Sequence, residues 1–440
     1  MLTIYCFSEN TRRLEYIAQH LFNTILGVEF RITSDKKQYL ESTHPCINYS
    51  ETELNHGLQI IPNGLLFETN IHPLEDLKES EWNGLFCFFY TGKGDIPFDL
   101  FAASFYLLTL YEEYFPEKWD KHDRFDYRES LLFRNHSLET PIIDRWAHLL
   151  KAELEKAGSD TSDFKLRKYQ AIATYDIDHP FLYRYKGLVK NFGGFLRDGF
   201  QGNFRGIKER LRTCFRLQED PYFLSIQSID QIQNQQKRPY YLFVLLGKRG
   251  KYGRTTRYSP VAYYRYLKTL TLARIGLHPS YDTLRNLEQL GIEKKQLEKI
   301  VQLKIAHSRQ HFLRMQVPET CQELILAGLE EDFTLAFAHA PGFRSGTSIP
   351  YFFYDLQKNE ATSLLIRPTI MMDSTFIFHQ KLSPEEALQK MKQLIDACKQ
   401  SGGDYLSLWH NSNLAGTPEK NPWINVFIQS FDYAVSLENL

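Results

Sequence analysis

Several common signals are missing from this 440-residue chain. Its six cysteines form no CxxC pair, which disfavours a thiolate zinc site or a disulfide framework and predicts reduced, mostly buried thiols. No apolar run is long enough to span a bilayer, so no transmembrane helix is predicted. The net charge is only -1, which gives no general attraction for nucleic acid, and no nucleic-acid partner is expected.

The beginning of the chain, MLTIYCFSENTRRLEYI, also lacks a basic segment followed by a long apolar one. That arrangement is the pattern of a secretory signal peptide, so we expect a cytoplasmic protein. The chain is rich in aromatic residues, with 32 Phe and 26 Tyr. These indicate packing in a core, with stacking on sugars as the alternative.

The length and the order of sequence patterns predict two domains. Residues 1–160 alternate strand-like and helix-like segments, which predicts a smaller α/β domain. A polar, breaker-rich stretch, GSDTSDFKLRKYQ, follows and is the best candidate for a linker. In residues 167–440 amphipathic helices separate predicted strands at AIATYDID, PYYLFVLLG, TLARIGLHPS, DFTLAFAHA and DYLSLWHN.

Strands that alternate with helices are typical of parallel sheets, in either a barrel or an open form. In both architectures the chemistry collects at the carboxyl ends of the strands. The polar clusters DIDH, LHPSYD and LWHN all stand at those ends. We therefore expect their side chains to form one site.

The first cluster contains two carboxylates, Asp176 and Asp178, two positions apart on a predicted strand. Alternate residues of a strand project to the same face, so the two negative charges repel each other. A divalent cation would remove that conflict, with one carboxylate as a ligand and the other free to take a proton. The alternative is a turn in which the aspartates cap the next helix.

Three histidines and an arginine follow the other predicted strands. His278 and Asp282 form an H-x-x-x-D pair, which can supply two metal ligands or, alternatively, a helix cap. Arg309 can hold a carboxylate bidentately, and the nearby His311 can ligate a metal, donate a hydrogen bond or pack. His410 could serve as a general acid, because the pKa of histidine lies near neutrality.

The order of these motifs resembles that of the polysaccharide deacetylases, the NodB-homology group of carbohydrate esterase family 4. The resemblance covers about residues 167–440 and is closest to one bacterial subgroup. The N-terminal part resembles the domain of unknown function that precedes the deacetylase in that subgroup, notably in FDLFAASFYLLTLYEEY and PIIDRW. The motifs that carry the resemblance are DIDHP, GLHPSY, SRQH, PGFRSGT and SLWHN, at Asp176–Pro180, Gly276–Tyr281, Ser308–His311, Pro341–Thr347 and Ser407–Asn411.

That family implies a distorted (β/α) barrel and the metal-dependent removal of N-acetyl groups from sugars, usually with zinc. By matching motifs, Asp176 would be the general base, and Asp178 and His278 would be metal ligands. Arg309 would orient the base, and His410 would be the general acid. The implied substrate is an N-acetylated sugar, such as a lipid-linked or nucleotide-linked precursor of a glycan.

The chain departs from the family pattern at the third metal ligand. The second motif normally ends in histidine where this chain has Asp282, and the third normally has proline where His311 stands. Asp282 and His311 are therefore equal candidates, with His179 in reserve. Asp332 falls in the motif that positions the acid and the base. A non-catalytic relative that binds metal weakly is the remaining interpretation.

A long basic insertion separates the first two motifs. Between Arg184 and Arg216 it carries nine lysine or arginine residues, two acidic residues and interleaved phenylalanines. Such a segment is typical of an interfacial membrane helix or a clamp for an anionic ligand. We expect it to contact the inner leaflet peripherally or to grip the diphosphate of a linked sugar. An ordinary helical pair packed on the barrel is the alternative.

The sequence thus predicts a cytoplasmic, metal-dependent carbohydrate N-deacetylase. Two alternatives belong to other classes of protein. One is a catalytically degenerate carbohydrate-binding barrel, in which Trp409 and tyrosines stack on sugar. The other is a membrane-associated scaffold whose N-terminal domain recruits a partner.

Overall fold

A computed structural model describes residues 1–8, 11–248, 252–253 and 261–439. These residues form a mixed α/β structure with a four-stranded sheet, a nine-stranded sheet and a two-stranded hairpin. The α/β class predicted from the sequence is therefore confirmed.

The described residues of the N-terminal part include six strands and five helices. The strands are β1 (Leu2–Cys6), β2 (Phe30–Thr33), β3 (Cys46–Tyr49), β4 (Leu58–Ile60), β5 (Ser80–Trp82) and β6 (Leu85–Cys87). The helices are α1 (Arg12–Ala18), which continues as a π-helix over Gln19–Ile25, α2 (Lys36–Leu40), α3 (Leu100–Leu108), α4 (Leu131–Arg134) and α5 (Ile142–Lys156). Short 3-10 helices lie at Leu65–Phe67, Tyr111–Tyr114 and Tyr127–Glu129.

Four of these strands form a parallel sheet in the order β2-β1-β3-β4. Leu2, Ile4 and Cys6 of β1 are fully buried in it. Helix α3 is buried along its whole length, as expected for a helix that is apolar on every side. β5 and β6 form the separate antiparallel hairpin.

In the second part of the chain, the residues that the structure describes form nine strands and eight helices. The strands are β7 (Gln170–Ile177), β8 (Tyr240–Leu245), β9 (Ala273–His278), β10 (His307–Ser308), β11 (Glu331–Asp332), β12 (Tyr351–Asp355), β13 (Glu360–Ile366), β14 (Met371–Met372) and β15 (Asp404–His410). The helices are α6 (Leu188–Phe200), α7 (Phe204–Cys214), α8 (Pro221–Gln235), α9 (Val261–Leu267), α10 (Leu287–Val301), α11 (Glu319–Leu326), α12 (Pro384–Gln400) and α13 (Trp423–Ser436). Short 3-10 helices lie at Tyr281–Thr283, His311–Leu313 and Leu437–Asn439, and a π-helix lies at Thr375–Gln380.

The nine strands are ordered β12-β13-β11-β10-β9-β8-β7-β15-β14, and every neighbouring pair except β12 and β13 is parallel. The central strand β8 has the sequence YYLFVL and is buried at every position. A continuous apolar run of this kind is typical of a parallel strand that is covered on both faces. Because the strands run the same way, the residues that end β7, β9 and β15 share one edge of the sheet.

The large sheet is strongly curved. Phe333, directly after β11, packs in one cluster with Tyr241 and Phe243 of β8 and Leu406 of β15. Four strands separate β11 from β15 in the sheet, so this contact requires the sheet to curl. The distorted (β/α) barrel stays a prediction: the hydrogen-bonded order is not closed, and β12 and β14 are its two edges.

One predicted strand, DFTLAFAHA, is wrong over most of its length. Only Glu331–Asp332 pair as β11. The Asp332 carboxylate accepts hydrogen bonds from the amide and the hydroxyl of Thr334, at 2.9 Å each. A side chain that binds the backbone two residues later favours a turn, so the strand ends there.

The N-terminal part and the large sheet share one continuous apolar core. Buried polar contacts also cross between them. Arg344 donates from Nε and Nη2 to the Glu113 carboxylate at 2.7 and 2.5 Å, and both side chains are at most 3% exposed. Asp144 of α5 accepts from the amide and the hydroxyl of Ser348, at 3.0 and 2.8 Å. The division into domains at residues 1–160 and 167–440 remains a prediction.

Two further predictions concern the state of the cysteines and the lack of a transmembrane helix. All six cysteines are free, and every one except Cys214 is buried, as the sequence predicts. Among the described residues, none of the helices combines the length and the apolar character needed to cross a bilayer.

We predict that the Glu113–Arg344 pair is essential to stability. Glu113→Ala leaves a buried guanidinium charge without its partner, which costs about 3–5 kcal/mol. The free energy of unfolding, measured by urea denaturation, should fall by that amount. The exposed pair Lys304–Glu330 provides the matched control, and Glu330→Ala should change little. Equal losses in the two variants would contradict the prediction.

Candidate metal and catalytic site

The carboxyl ends of β7, β9 and β15 open into one pocket of about 470 Å³. Five side chains that the sequence places at or after strand ends line it: Asp176, Asp178, His278, His311 and His410. The pocket therefore brings together residues that are up to 234 positions apart, between 176 and 410 in the chain.

Asp176 lies within β7 and is almost completely buried. Arg309 donates to it from Nη1, at 2.9 Å from Oδ1. The same guanidinium donates to the carbonyl oxygen of Phe333 at 3.0 Å and to the hydroxyl of Thr369 at 3.1 Å. Arg309 thus neutralises a buried carboxylate and fixes its orientation.

Three side chains form a group that could hold a metal ion: Asp178, His278 and His311. Each offers one ligand atom, and these atoms all lie within 4.8 Å of one another. His278 Nε2 is 3.1 Å from Asp178 Oδ1, and His311 Nε2 is 3.6 Å from Asp178 Oδ2. A carboxylate with two imidazoles is a donor set suited to zinc and related divalent ions.

The hydrogen bonds around these atoms fit a metal. Asp178 Oδ1 and His278 Nε2 are buried, and within the described part of the chain neither has a hydrogen-bond partner. His278 Nδ1 lies 2.6 Å from the carbonyl oxygen of Arg309, to which it must donate. That bond leaves the lone pair of Nε2 directed at Asp178, the arrangement usual for a ligating histidine.

A strained turn follows His311. Phe312 and Leu313 adopt positive φ angles of 64° and 51°, which are uncommon for residues with side chains. Arg124, from the N-terminal part, donates to the carbonyl oxygen of Phe312 at 2.5 Å. The N-terminal part therefore helps to hold the turn that presents His311 to the pocket.

His410 is oriented by Asp373, which directly follows β14. His410 Nδ1 lies 2.7 Å from Asp373 Oδ1, and the amide of His410 donates to Oδ2 at 2.8 Å. Asn413 also donates to Oδ2, at 2.9 Å. These contacts leave His410 Nε2 facing the pocket, 3.9 Å from Asp178 Oδ2.

The carboxylates favour positive charge on the histidines beside them. Burial alone would lower the pKa of His410, but Asp373 raises it to about 10, and Asp178 and Asp176 add to this effect. Burial would raise the pKa of Asp178, but the charge of His311 and the closeness of His278 bring it well below its usual value. A site that attracts positive charge in this way suits a bound cation.

Three predicted residues lie outside the metal-competent group. Asp282 is exposed on the 3-10 helix Tyr281–Thr283 and is not part of the metal-competent group. His179 lines the pocket but is also outside that group. Asp332 accepts hydrogen bonds from Ser308 and Thr334 at the end of β11. Its role in positioning the acid and the base stays a prediction.

Trp409 also differs from the expectation that it stacks on sugar. It is 1% exposed and packs against Phe427 of α13, at 5.3 Å between ring centroids. Neighbours on a strand point to opposite faces, so His410 faces the pocket and Trp409 faces the core.

Sequence reasoning missed two contributions to the site. Asp373 follows an apolar run, LLIRPTIMM, and therefore has the same strand-end position as Asp178. The second contribution comes from the N-terminal part, where Lys121, His122 and Arg124 line the pocket. No local pattern marks these three residues, because only tertiary packing brings residue 122 beside residue 281, at 3.3 Å between His122 Nδ1 and the Tyr281 hydroxyl.

Comparison with protein families identifies only the N-terminal part. Residues 2–159 match a family of unknown function, DUF7033. This match agrees with the expected resemblance of that part to a domain of unknown function. No curated protein matches the chain.

Solved structures resemble the chain weakly. A protein from Mycobacterium smegmatis described as a polysaccharide deacetylase has 13% identity and a TM-score of 0.40, over 60% of this chain and 84% of its own. The 4-alpha-glucanotransferase of Thermococcus litoralis has 11% identity and a TM-score of 0.34, and the match covers 62% of this chain and 38% of that protein. IcaB from Ammonifex degensii has 14% identity and a TM-score of 0.26, and the match covers 49% of this chain and 98% of that protein.

We predict that the group around Asp178 binds zinc and that Asp282 does not contribute. Asp178→Asn and His278→Ala each remove one ligand, so zinc affinity should fall by about a hundredfold or more. Asp282→Asn should bind as tightly as the wild type. Competition with a fluorescent zinc chelator measures these affinities. A loss in Asp282→Asn equal to that in Asp178→Asn would contradict this ligand set.

The raised pKa of His410 predicts a pH dependence of stability in the metal-free protein. Because the folded pKa is about 10 and the usual value is 6.5, the stabilisation is complete below the lower value and is lost as the pH rises through the higher one. Asp373→Asn removes the main cause of the shift. Its loss of unfolding free energy, measured in urea, should be large below about pH 6 and much smaller above about pH 10. An equal loss at both pH values would argue against a charged pair.

Proposed function

We propose that this chain is a metal-dependent hydrolase that removes an N-acetyl group from a sugar. The observation that carries the proposal is the arrangement of three functions in one pocket. A metal-competent group lies between a buried aspartate held by an arginine and a histidine held by a second aspartate. An amide hydrolase needs a general base, a general acid and a means of stabilising the developing oxyanion, and this arrangement can supply all three.

Asp178, His278 and His311 would hold the metal, and zinc is the best match to one carboxylate and two imidazoles. When bound, a divalent ion polarises a carbonyl oxygen and lowers the pKa of water. His278 is already in the tautomer that ligation needs, because its Nδ1 donates to the carbonyl oxygen of Arg309.

Asp176 is the proposed general base. Its carboxylate is buried in the pocket wall, where it can take a proton from a water molecule. Arg309 compensates its charge and prevents it from rotating. Arg309 reaches the reaction only through Asp176, so it is a positioning residue.

His410 is the proposed general acid. Its raised pKa means that the ring is protonated at neutral pH, so Nε2 can give a proton to the departing amine. Asp373 holds Nδ1 and stabilises the imidazolium before that transfer. The base and the acid belong to neighbouring strands, β7 and β15, whose register pairs residue 176 with residue 410.

The pocket volume falls within the range usual for small-molecule sites, about 300–1,000 Å³. Its wall combines apolar side chains, Met372, Phe378 and Leu408, with the polar residues Lys121 and His122. A wall of this kind suits a sugar ring, which has an apolar face and hydroxyl edges. We therefore propose an N-acetylated sugar, or a glycan precursor that carries one, as the substrate.

Activity measurements test the proposal. Acetate release from a panel of N-acetylated oligosaccharides and linked sugars should be detectable with the zinc-loaded protein. Asp176→Asn and His410→Gln should each lower kcat by about 10²–10⁴-fold, because each removes one proton-transfer group. Asp282→Asn is the matched control and should retain activity. Residual rates in Asp176→Asn equal to those of the wild type would refute this mechanism.

A further inference from the structure

The basic insertion predicted from the sequence forms a pair of helices, α6 and α7. Its base is firmly attached to the molecule. The Asp220 carboxylate accepts hydrogen bonds from the amides of Leu182, Tyr183 and Arg184, at 2.7, 2.9 and 3.0 Å. It also accepts from the amide of Tyr222, at 3.1 Å, where α8 begins. Both ends of the helical pair are therefore fixed at one buried carboxylate.

The contact between the two helices is polar. Arg210 of α7 donates to Asp198 of α6 at 2.7 Å, and both side chains are buried. The Arg210 guanidinium also lies over the ring of Tyr183, at 4.7 Å from its centroid. The Tyr183 hydroxyl donates to Glu209 at 3.0 Å. Both acidic residues of the insertion are thus engaged inside it.

The apolar side chains of the pair are on its outside. Leu188 and Phe200 are each 91% exposed, and Phe204 is 75% exposed. Residues of both helices border an open groove of about 970 Å³. Large apolar side chains seldom remain in contact with water in such a group, so this surface requires a covering partner. The exposed apolar residues are Leu188, Val189, Phe192, Leu196, Phe200, Phe204, Leu211, Phe215 and Leu217.

Exposed cations border this apolar surface. On α7, Arg205, Lys208 and Arg212 recur at intervals of three and four residues, so they share one side of the helix beside Phe204 and Leu211. Arg197 and Arg216 are also exposed. Apolar side chains flanked by arginine and lysine are typical of helices that lie in the surface of a membrane.

We propose that α6 and α7 dock this protein on an anionic lipid bilayer. The charges favour lipid over a second copy of the chain, because a symmetric dimer would bring two cationic surfaces together. Anionic headgroups would instead neutralise the arginines and lysines while Leu188, Phe200 and Phe204 enter the acyl boundary. The docking does not depend on the proposed reaction.

The position of the pair in the chain links docking to the pocket. The insertion begins a few residues after Asp178 and His179, and it ends just before Tyr222. His179 and Tyr222 both line the pocket. The helical pair is therefore attached to the chain next to two residues of the pocket wall.

Flotation on a density gradient tests the proposal with the full chain. The wild type should float with vesicles of phosphatidylcholine mixed with phosphatidylglycerol at low salt. It should stay in the soluble fraction with phosphatidylcholine alone, and high salt should release it. A wild type that stays soluble with the mixed vesicles at low salt would overturn the proposal.

Two sets of variants separate the apolar and the charged contributions. Leu188→Ser with Phe200→Ser should lower the vesicle partition coefficient by about tenfold or more, because both side chains lose their apolar burial. Lys208→Glu with Arg212→Glu should lower it by about tenfold and reduce its salt dependence. The matched control is Leu326→Ser with Phe352→Ser, at side chains 72% and 53% exposed elsewhere on the molecule.

Circular dichroism checks that each variant is folded. If Leu188→Ser with Phe200→Ser does not fold, Lys208→Glu with Arg212→Glu still tests the proposal. Wild-type flotation by a folded charge variant would contradict the proposal. Sedimentation equilibrium measures whether the wild type forms a dimer, which is the competing explanation of the apolar surface. A wild-type dimer that Leu188→Ser with Phe200→Ser converts to monomer would assign this surface to a second copy instead of lipid.

Discussion

The arrangement of the pocket depends on the burial of Arg309. This residue has no exposed surface, yet its guanidinium has three hydrogen-bonded partners and lies 4.6 Å from the centroid of Phe243. Its side chain donates to Asp176, while its backbone carbonyl oxygen accepts a hydrogen bond from His278 Nδ1. One residue thus determines the orientation of the proposed base and the tautomer of a proposed metal ligand. Burying a guanidinium without partners would strongly destabilise the fold. The curved sheet avoids this cost because it places Asp176, Thr369 and the carbonyl oxygen of Phe333 around Arg309.

Much of the fold could be predicted from local patterns, and the exceptions have physical causes. β7, β8 and β15 each lie within a segment that the sequence predicts to be a strand, and β8 is apolar throughout. β11 and β14 contain two residues each, so hydrophobic periodicity cannot identify them. The segment DFTLAFAHA has the composition of a strand, but the hydrogen bonds of Asp332 to Thr334 end it after two residues.

The same distinction applies to the site. Asp176, Asp178, His278 and His410 stand in polar clusters at the ends of predictable strands, so the sequence could propose them together. Asp373 is harder to predict, because β14 has only two residues and hydrophobic periodicity does not mark where it ends. Asp282 illustrates the opposite error: its spacing from His278 suits a helix, but the 3-10 turn after β9 directs its side chain to solvent.

The N-terminal part forms one side of the pocket, although all the proposed catalytic groups come from the large sheet. Arg314 donates to the carbonyl oxygen of His122 at 2.9 Å and to Asp123 at 2.6 Å, which holds that segment against the sheet. Part of the pocket wall therefore comes from a different stretch of the chain than the proposed reactive groups. Substitutions at Lys121 or His122 can alter which molecule fits while the proton-transfer and ligating side chains stay the same.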